Sequence, residues 1–182
     1  EGIPAYSVSR EGYFETYEVS VLLDYLRILD NARQDLPLAA VLTSPFCGLD
    51  ARELAAVRIA YPNVPFYQAA QMYAEAQDAE RGPGQRAADG TEQGPGQRAA
   101  EKLQKFYARV AYFRKKVPYT PIHELLEEVM EKTGYRLYIT AMPGGAQRAA
   151  NLDMLTERAA AFEGTSYKGL FNFIRYIEQL KK

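Results

Sequence analysis

The spacing of apolar residues in the stretch 120–164 constrains the fold more than any other feature of the chain. Thr120 and Pro121 are residue types that begin helices, and Gly134 is typical of a helix end. The residues between them repeat at intervals of three and four, as one buried helix face does: Ile122, Leu125, Leu126, Val129 and Met130. The stretch therefore predicts a core helix that begins at Pro121 and ends at Gly134.

Helical spacing recurs along most of the chain and predicts the fold class. A second helix follows the turn 143–145, presents Leu152, Leu155 and Phe162 on one face, and ends at Gly164. Successive amphipathic helices with short connections must bury their apolar faces against one another, so we predict an all-α, irregular multi-helix bundle. Further helices are predicted at 17–29, 37–42 and 103–116, and from Asp50, Pro65 and Ser166.

Two segments depart from this helical pattern. Ile3 to Val8 alternates apolar and polar residues, which predicts a short N-terminal strand. Residues 76–100 contain the heptapeptide GPGQRAA twice, at 82–88 and 94–100, and lack large apolar side chains. Such a segment buries too little surface to offset the entropy of ordering it, so we predict a flexible low-complexity insertion without a function of its own.

Composition sets further bounds on the chain. Its 182 residues suffice for one well-buried domain, and no stretch approaches the roughly 20 apolar residues that cross a bilayer. The net charge of -1 conceals an acidic first part, 1–100, with 8 Lys/Arg against 14 Asp/Glu, and a basic remainder. The basic part fits either DNA phosphates or solvated helix faces.

Cys47 is the single cysteine, which is compatible with a reducing cytoplasm. The sequence does not begin with Met, which indicates an excised fragment.

Residues that carry enzymatic chemistry are not grouped in any recognisable motif. The phosphate-binding loop GxxxxGK[ST] of ATP-driven motors is absent, and the GPGQR copies lack its Lys-Ser or Lys-Thr. His123 is the single histidine and is interpreted as a surface or boundary residue, and Cys47 as a packing residue. The carboxylates are scattered over helix faces. We therefore predict no catalytic residue, no metal site and no cofactor in this chain.

Several separated segments resemble one family in the order in which that family has them. HELLEEVMEKTGY, PGGAQRAANLDML and FEGTSYKGLFNFIRYI are similar to the helical 2B accessory domain of the AddA subunit of AddAB helicase-nucleases, which are UvrD-like superfamily 1 helicases. GIPAYSVSREGYFETYEVSVLLDYLRILDN and DLPLAAVLTSPFCGLDARELA resemble the passage from the second motor domain into 2B. The resemblance covers most of the chain outside 75–100. It implies that 1–16 is a remnant of the motor domain and that 17–182 is a helicase 2B-like domain.

The resemblance also implies a function. The parent would be a bacterial, cytoplasmic, ATP-dependent 3′ to 5′ DNA helicase and exonuclease of double-strand break repair and recombination, using ATP and Mg²⁺. This part would catalyse nothing itself. It would guide duplex or forked DNA and position the adjoining motor domains, and the parent would work with an AddB-type subunit. The alternative is a protein-interaction module that docks on neighbouring domains or on the partner subunit without touching DNA.

The family pattern points to two sets of DNA-binding candidates. Thr43, Ser44 and Gly48 match the turn with which such domains approach duplex DNA, where amides of the next helix meet a phosphate, and Arg52 lies in that helix. Cys47 replaces an arginine of the relatives and Asp50 adds negative charge, which weakens phosphate affinity. Arg148 and Asn151 also match the family pattern and form the second set together with Lys168, a basic residue one helix further on. For Arg148 and Asn151 the alternative role is a polar anchor between helices. The fourteen tyrosines allow base stacking or core packing.

Overall fold

The protein is described by a computed structural model that covers the backbone of residues 10–80 and 94–181, with side chains at 12–76 and 94–181. These ranges contain ten α-helices and no strand, so the predicted all-α class is confirmed. The predicted strand at Ile3 to Val8 and the first GPGQRAA copy lie outside the described residues. The helices are α1 Arg10–Glu15, α2 Tyr17–Asp30, α3 Asp35–Thr43, α4 Ala51–Ala60, α5 Phe66–Glu80, α6 Pro95–Lys116, α7 Ile122–Lys132, α8 Tyr135–Ala141, α9 Gly145–Glu163 and α10 Leu170–Leu180.

The chain divides into two units, and the divisions fall inside α2 and α6. The first unit consists of the chain up to Leu26 and from Lys116 onwards. In it α7 and α8 pack against each other and both pack on α9. The apolar face predicted for α7 is buried throughout. On α10, Phe173 packs edge to face on Phe162 of α9, with ring centroids 5.5 Å apart. The core of the first unit therefore includes the predicted apolar faces of α7, α9 and α10, together with buried side chains of α8 that were not predicted as part of a helix.

The second unit, Arg27–Lys115, is built around α5. Both α3 and α4 pack on that helix, burying Leu38, Val41 and Leu42 of α3 and Val57 of α4. The Asp35 carboxylate at the start of α3 accepts hydrogen bonds from the first two amides of α5, at 3.0 and 2.9 Å. Because those amides have no partner within their own helix, this carboxylate caps α5 and links it to α3.

Most predicted helix ends are confirmed. Asp50 and Glu53 form the predicted capping box, in which each side chain accepts from the other's amide at 2.8 Å. Gly134 takes the left-handed φ of 72° between α7 and α8, a conformation that other residues adopt only with strain. At the next corner Gly144 is also left-handed, and a Cβ on Gly145 would clash with the carbonyl oxygen of Thr140.

Two predicted helix starts are wrong. Thr120 does not cap α7, since Pro121 is the N-cap and the Glu163 carboxylate accepts the amide of Ile122. Ser166 does not cap the last helix, which begins at Leu170 after Gly169. Thr165 instead donates its hydroxyl to the carbonyl oxygen of Phe162 at 2.7 Å and accepts the amide of Tyr167 at 3.3 Å, and these bonds hold the segment in a turn. The first error arises because the distant Glu163 carboxylate takes the amide that a Thr120 cap would have accepted.

The insertion predicted at 76–100 is too wide. Helix α5 continues to Glu80, and α6 begins at Pro95 inside the second GPGQRAA copy. Pro95 is favourable in the first helical position, and Ala99 and Ala100 are buried. The insertion was predicted from the lack of large apolar side chains. In α6, however, small residues such as Ala99 and Ala100 are buried because they allow the helix to pack closely on its neighbours. A Cβ on Gly96, for example, would lie 2.6 Å from the hydroxyl of Tyr73.

Helix α1 was not predicted from the sequence. Its Tyr13 and Phe14 are buried, and the Tyr13 hydroxyl donates to the carbonyl oxygen of Asn151 at 2.7 Å. The guanidinium of Arg158 lies 5.6 and 5.7 Å from the centroids of these two rings. At six residues α1 is too short to show a helical period, and long-range contacts of this kind hold it in place.

We expect Leu126→Ala to destabilise the chain by about 2–5 kcal/mol, because it leaves a cavity in a close-packed core. Leu137→Ala on the adjacent helix is the matched control, since that side chain is 77% exposed. Urea unfolding followed by circular dichroism measures both. Equal losses of stability in the two variants would contradict the described packing.

Candidate nucleic-acid interface

The corner between α3 and α4 holds the first set of DNA-binding candidates, Thr43, Ser44, Gly48 and Arg52. Ser44 is buried, and its hydroxyl donates to the Val41 carbonyl at 2.6 Å. The amides along the turn are used within the corner: those of residues 46, 47 and 48 donate to Ser44, that of 49 to Leu42, and that of 50 to Glu53. Phosphate contact through these turn amides would require breaking those bonds, and in the first turn of α4 the Glu53 amide is taken up by Asp50.

Charges at this corner are mostly paired within the fold. The Glu53 side chain is 1% exposed and lies 2.7 Å from Lys102 and 3.6 Å from Arg98 of α6. Lys102 also donates to the carbonyl oxygen of Gly48 at 2.7 Å. A buried carboxylate is stable only when it is paired in this way. Arg98 and Lys102 therefore stabilise the fold by pairing with Glu53. Thr43 and Arg52 are exposed.

Cys47 lies in the same corner and is mostly buried. Burial raises the pKa of its thiol from about 9 to about 12, outweighing the opposing effect of Lys102. Because only a thiolate is an effective nucleophile, this environment favours the packing role expected from the sequence.

Arg148 and Asn151 of the second set surround a buried carboxylate that no sequence motif marks. Glu18 of α2 is buried and accepts from Arg148 at 2.6 Å and from the Asn151 amide at 2.7 Å, both on α9. The Glu18 carbonyl also accepts the hydroxyl of Tyr135 of α8 at 2.9 Å. Gln147 completes the cluster by donating to the Asn151 side chain at 3.2 Å.

This Glu18 cluster, which consists of Glu18, Tyr135, Gln147, Arg148 and Asn151, holds α2 and α8 against α9. Asn151 is buried and fully engaged, so the contacts favour the polar-anchor alternative for it and for Arg148. No local signal in the sequence marks Glu18, because its partners lie 130 and 133 residues further on. DNA binding by Arg148 and Asn151 stays a prediction.

Lys168 lies apart from that cluster, in the exposed turn before α10. It lines a groove of about 470 Å³ together with His123 and Glu163. The His123 ring nitrogen Nδ1 pairs with the Glu163 carboxylate, so this histidine is a half-buried partner of a carboxylate, as its boundary position suggested.

Two further findings concern metals and membranes. Within residues 10–80 and 94–181, no group of three His, Cys, Asp or Glu side chains lies close enough together to hold a metal ion. None of the helices in the described part of the chain combines the length and apolarity needed to span a bilayer.

The fold and these contacts define an all-α module whose buried polar groups tie helices together. No protein-family profile matches the chain. Along its whole length, however, it is homologous to a segment of proteins that are named as the AddA subunit of ATP-dependent helicase/nuclease. Identity is 42% over 209 aligned positions with the protein of Lachnoclostridium phytofermentans, 43% over 182 with that of Bacillus licheniformis and 36% over 182 with that of Oceanobacillus iheyensis. The chain spans 13–15% of the length of these curated relatives.

We expect Glu18→Ala to destabilise the chain by about 1–3 kcal/mol, because the buried Asn151 amide loses its acceptor. Glu15→Ala, at an exposed position on α1, is the control and should change stability little. The measurement is the midpoint of urea unfolding. Equal unfolding midpoints for the Glu18 and Glu15 variants would contradict a stabilising role for the Glu18 cluster.

We expect Cys47 in the native chain to be alkylated about a thousandfold more slowly than in the unfolded chain near neutral pH, since the pKa difference is about three units. The control is the same reaction in urea. The raised pKa also means that native stability falls as pH rises from about 9 towards 12, because only the unfolded chain then loses the proton. Equal alkylation rates with and without urea would contradict the burial.

Proposed function

We propose that this chain is the helical accessory region, of the 2B type, of an ATP-dependent DNA helicase/nuclease of the AddA kind. It guides duplex DNA at the fork and positions the adjoining motor domains. The observation that carries the proposal is the end-to-end similarity, at 36–43% identity, to a small segment of AddA proteins.

The parent's chemistry is assigned to the rest of the parent. ATP-driven 3′ to 5′ translocation and exonuclease action need a phosphate-binding loop and a set of metal-binding carboxylates. The sequence of this chain contains no such loop, and the two deeply buried carboxylates among the described residues, Glu18 and Glu53, are paired with cations of the fold. ATP and Mg²⁺ would therefore act outside this chain, in a bacterial cytoplasmic enzyme of double-strand break repair and recombination that pairs with an AddB-type subunit.

Contact with DNA would be made by exposed side chains of the chain. Thr43 and Arg52 lie at the corner whose turn amides are used internally, so the exposed Arg52 guanidinium remains for a phosphate. The Thr43 hydroxyl shares its proton between two carbonyl oxygens of its own helix, at 3.1 Å, and would have to rotate away from them to meet a phosphate. Lys168 supplies a separate exposed cation in the first unit. Such contacts position a duplex without reading its sequence.

Docking on a neighbouring domain or on the partner subunit is the second candidate function. It is favoured by exposed apolar side chains, Leu137 and Tyr138, on α8. Leu137 borders a groove of about 670 Å³ that is also lined by Met130, Glu127 and Glu131. Exposed apolar surface rimmed by charge is typical of protein interfaces.

Binding to a duplex with a single-stranded tail distinguishes the two candidates. We expect weak binding at low salt that falls steeply as salt rises, because released counterions drive the association. Arg52→Gln should weaken binding and lower the slope of log affinity against log salt by about one. Arg33→Gln, which removes an exposed charge elsewhere in the same unit, is the control. Fluorescence anisotropy measures both, and absence of binding at low salt would favour the docking function.

A further inference from the structure

A pocket of about 380 Å³ lies between the end of α9, the turn that follows it and α10. This volume is within the range of about 300–1,000 Å³ typical of small-molecule sites. None of the DNA-binding candidates from the sequence lines it. Its walls, called the aromatic pocket below, are Phe162, Tyr167, Asn172, Arg175, Tyr176 and Gln179.

Aromatic rings form the apolar part of the aromatic pocket. Tyr176 is held by its neighbours, since its ring lies 5.2 Å from that of Phe162, inclined by 31°, and 6.5 Å from that of Phe173. Tyr167 is different: it lies in the turn and is 70% exposed. The pocket therefore combines a fixed tyrosine with an accessible one. Flat rings of this kind are the surfaces on which nucleobases stack.

The polar part of the aromatic pocket suits the edge of a base. Asn172 uses its amide nitrogen to donate to the Lys168 carbonyl at 2.8 Å, which leaves its side-chain oxygen able to accept. Gln179 adds a second amide group. Side-chain amides offer both a donor and an acceptor, as the edges of nucleobases do.

The charge of the aromatic pocket favours an anion beside the base. Arg175 is the one charged residue among the six that line it, and its guanidinium lies 5.8 Å from the centroid of the exposed Phe171 ring. Lys168, the residue after Tyr167, is exposed as well. Two other grooves in the described part of this unit, of about 670 and 470 Å³, are lined by carboxylates, Glu127 and Glu131 in one and Glu163 in the other. Of the three, the aromatic pocket is best suited to a nucleotide of a strand.

We propose that the aromatic pocket binds an unpaired nucleobase of single-stranded DNA, stacked on Tyr167 and Tyr176, with a flanking phosphate at Arg175. The inference rests on the proposed function, namely that the chain handles DNA. It adds a contact with the unpaired strand to the guidance of the duplex.

The test is fluorescence anisotropy of a labelled oligothymidylate and of the same strand carrying abasic sites. Tyr167→Ala should weaken binding of the intact strand about fivefold or more, since a stacked base is lost. It should leave binding of the abasic strand unchanged. Arg175→Gln should weaken binding of both strands, because it removes a phosphate contact. Tyr138→Ala and Arg33→Gln are the matched controls, and circular dichroism verifies folding of each variant.

Three outcomes would overturn the inference. In the first, the abasic strand binds as tightly as the intact strand. In the second, Tyr167→Ala behaves like Tyr138→Ala. In the third, free thymidine monophosphate competes as well as the strand does, which indicates a nucleotide site. If the tailed duplex still binds in any of these cases, the proposed function stands. If neither single strand nor tailed duplex binds at low salt, both fail.

Discussion

Two buried carboxylates, Glu18 in the first unit and Glu53 in the second, determine which polar groups of this protein remain available. A carboxylate taken out of water must find cations or donors, and each of these finds them on a distant helix. Glu18 thereby orients Arg148 and Asn151, whereas Glu53 takes up Lys102 and an amide of the α4 cap. Arg148, a cation that the family pattern offers for DNA contact, is thus occupied in joining helices.

Exposed side chains therefore indicate where a ligand could bind better than the total number of charged residues does. Arg52, Lys168 and Arg175 are exposed cations, and Tyr167 is an accessible ring beside two of them. These groups suit contact with a polyanion that is held loosely and released often, since surface contacts are weak individually and salt-sensitive. An accessory region that follows moving DNA has the same requirement.

The helices were predictable because their apolar residues repeat locally. The face of α7, the capping box at Asp50 and the left-handed Gly134 all follow from residues within one or two turns of each other. The features that were missed depend on partners far along the chain. Helix α1 is held by contacts to α9, and Glu18 pairs with residues more than a hundred positions away. The Thr165 hydroxyl bonds to the end of α9 in the turn that precedes α10. The aromatic pocket likewise joins the two sides of a turn whose geometry the sequence did not specify.

The corner between α8 and α9 has a consequence for how this protein tolerates change. Gly145 brings the first turn of α9 so close to Thr140 that no Cβ fits at that position, and Gly144 before it takes a left-handed φ. A longer connection would let α9 turn relative to α8 and would separate Arg148 from Glu18. Insertions at this corner should therefore destabilise the unit, because the length of the connection sets the distance between Arg148 and Glu18.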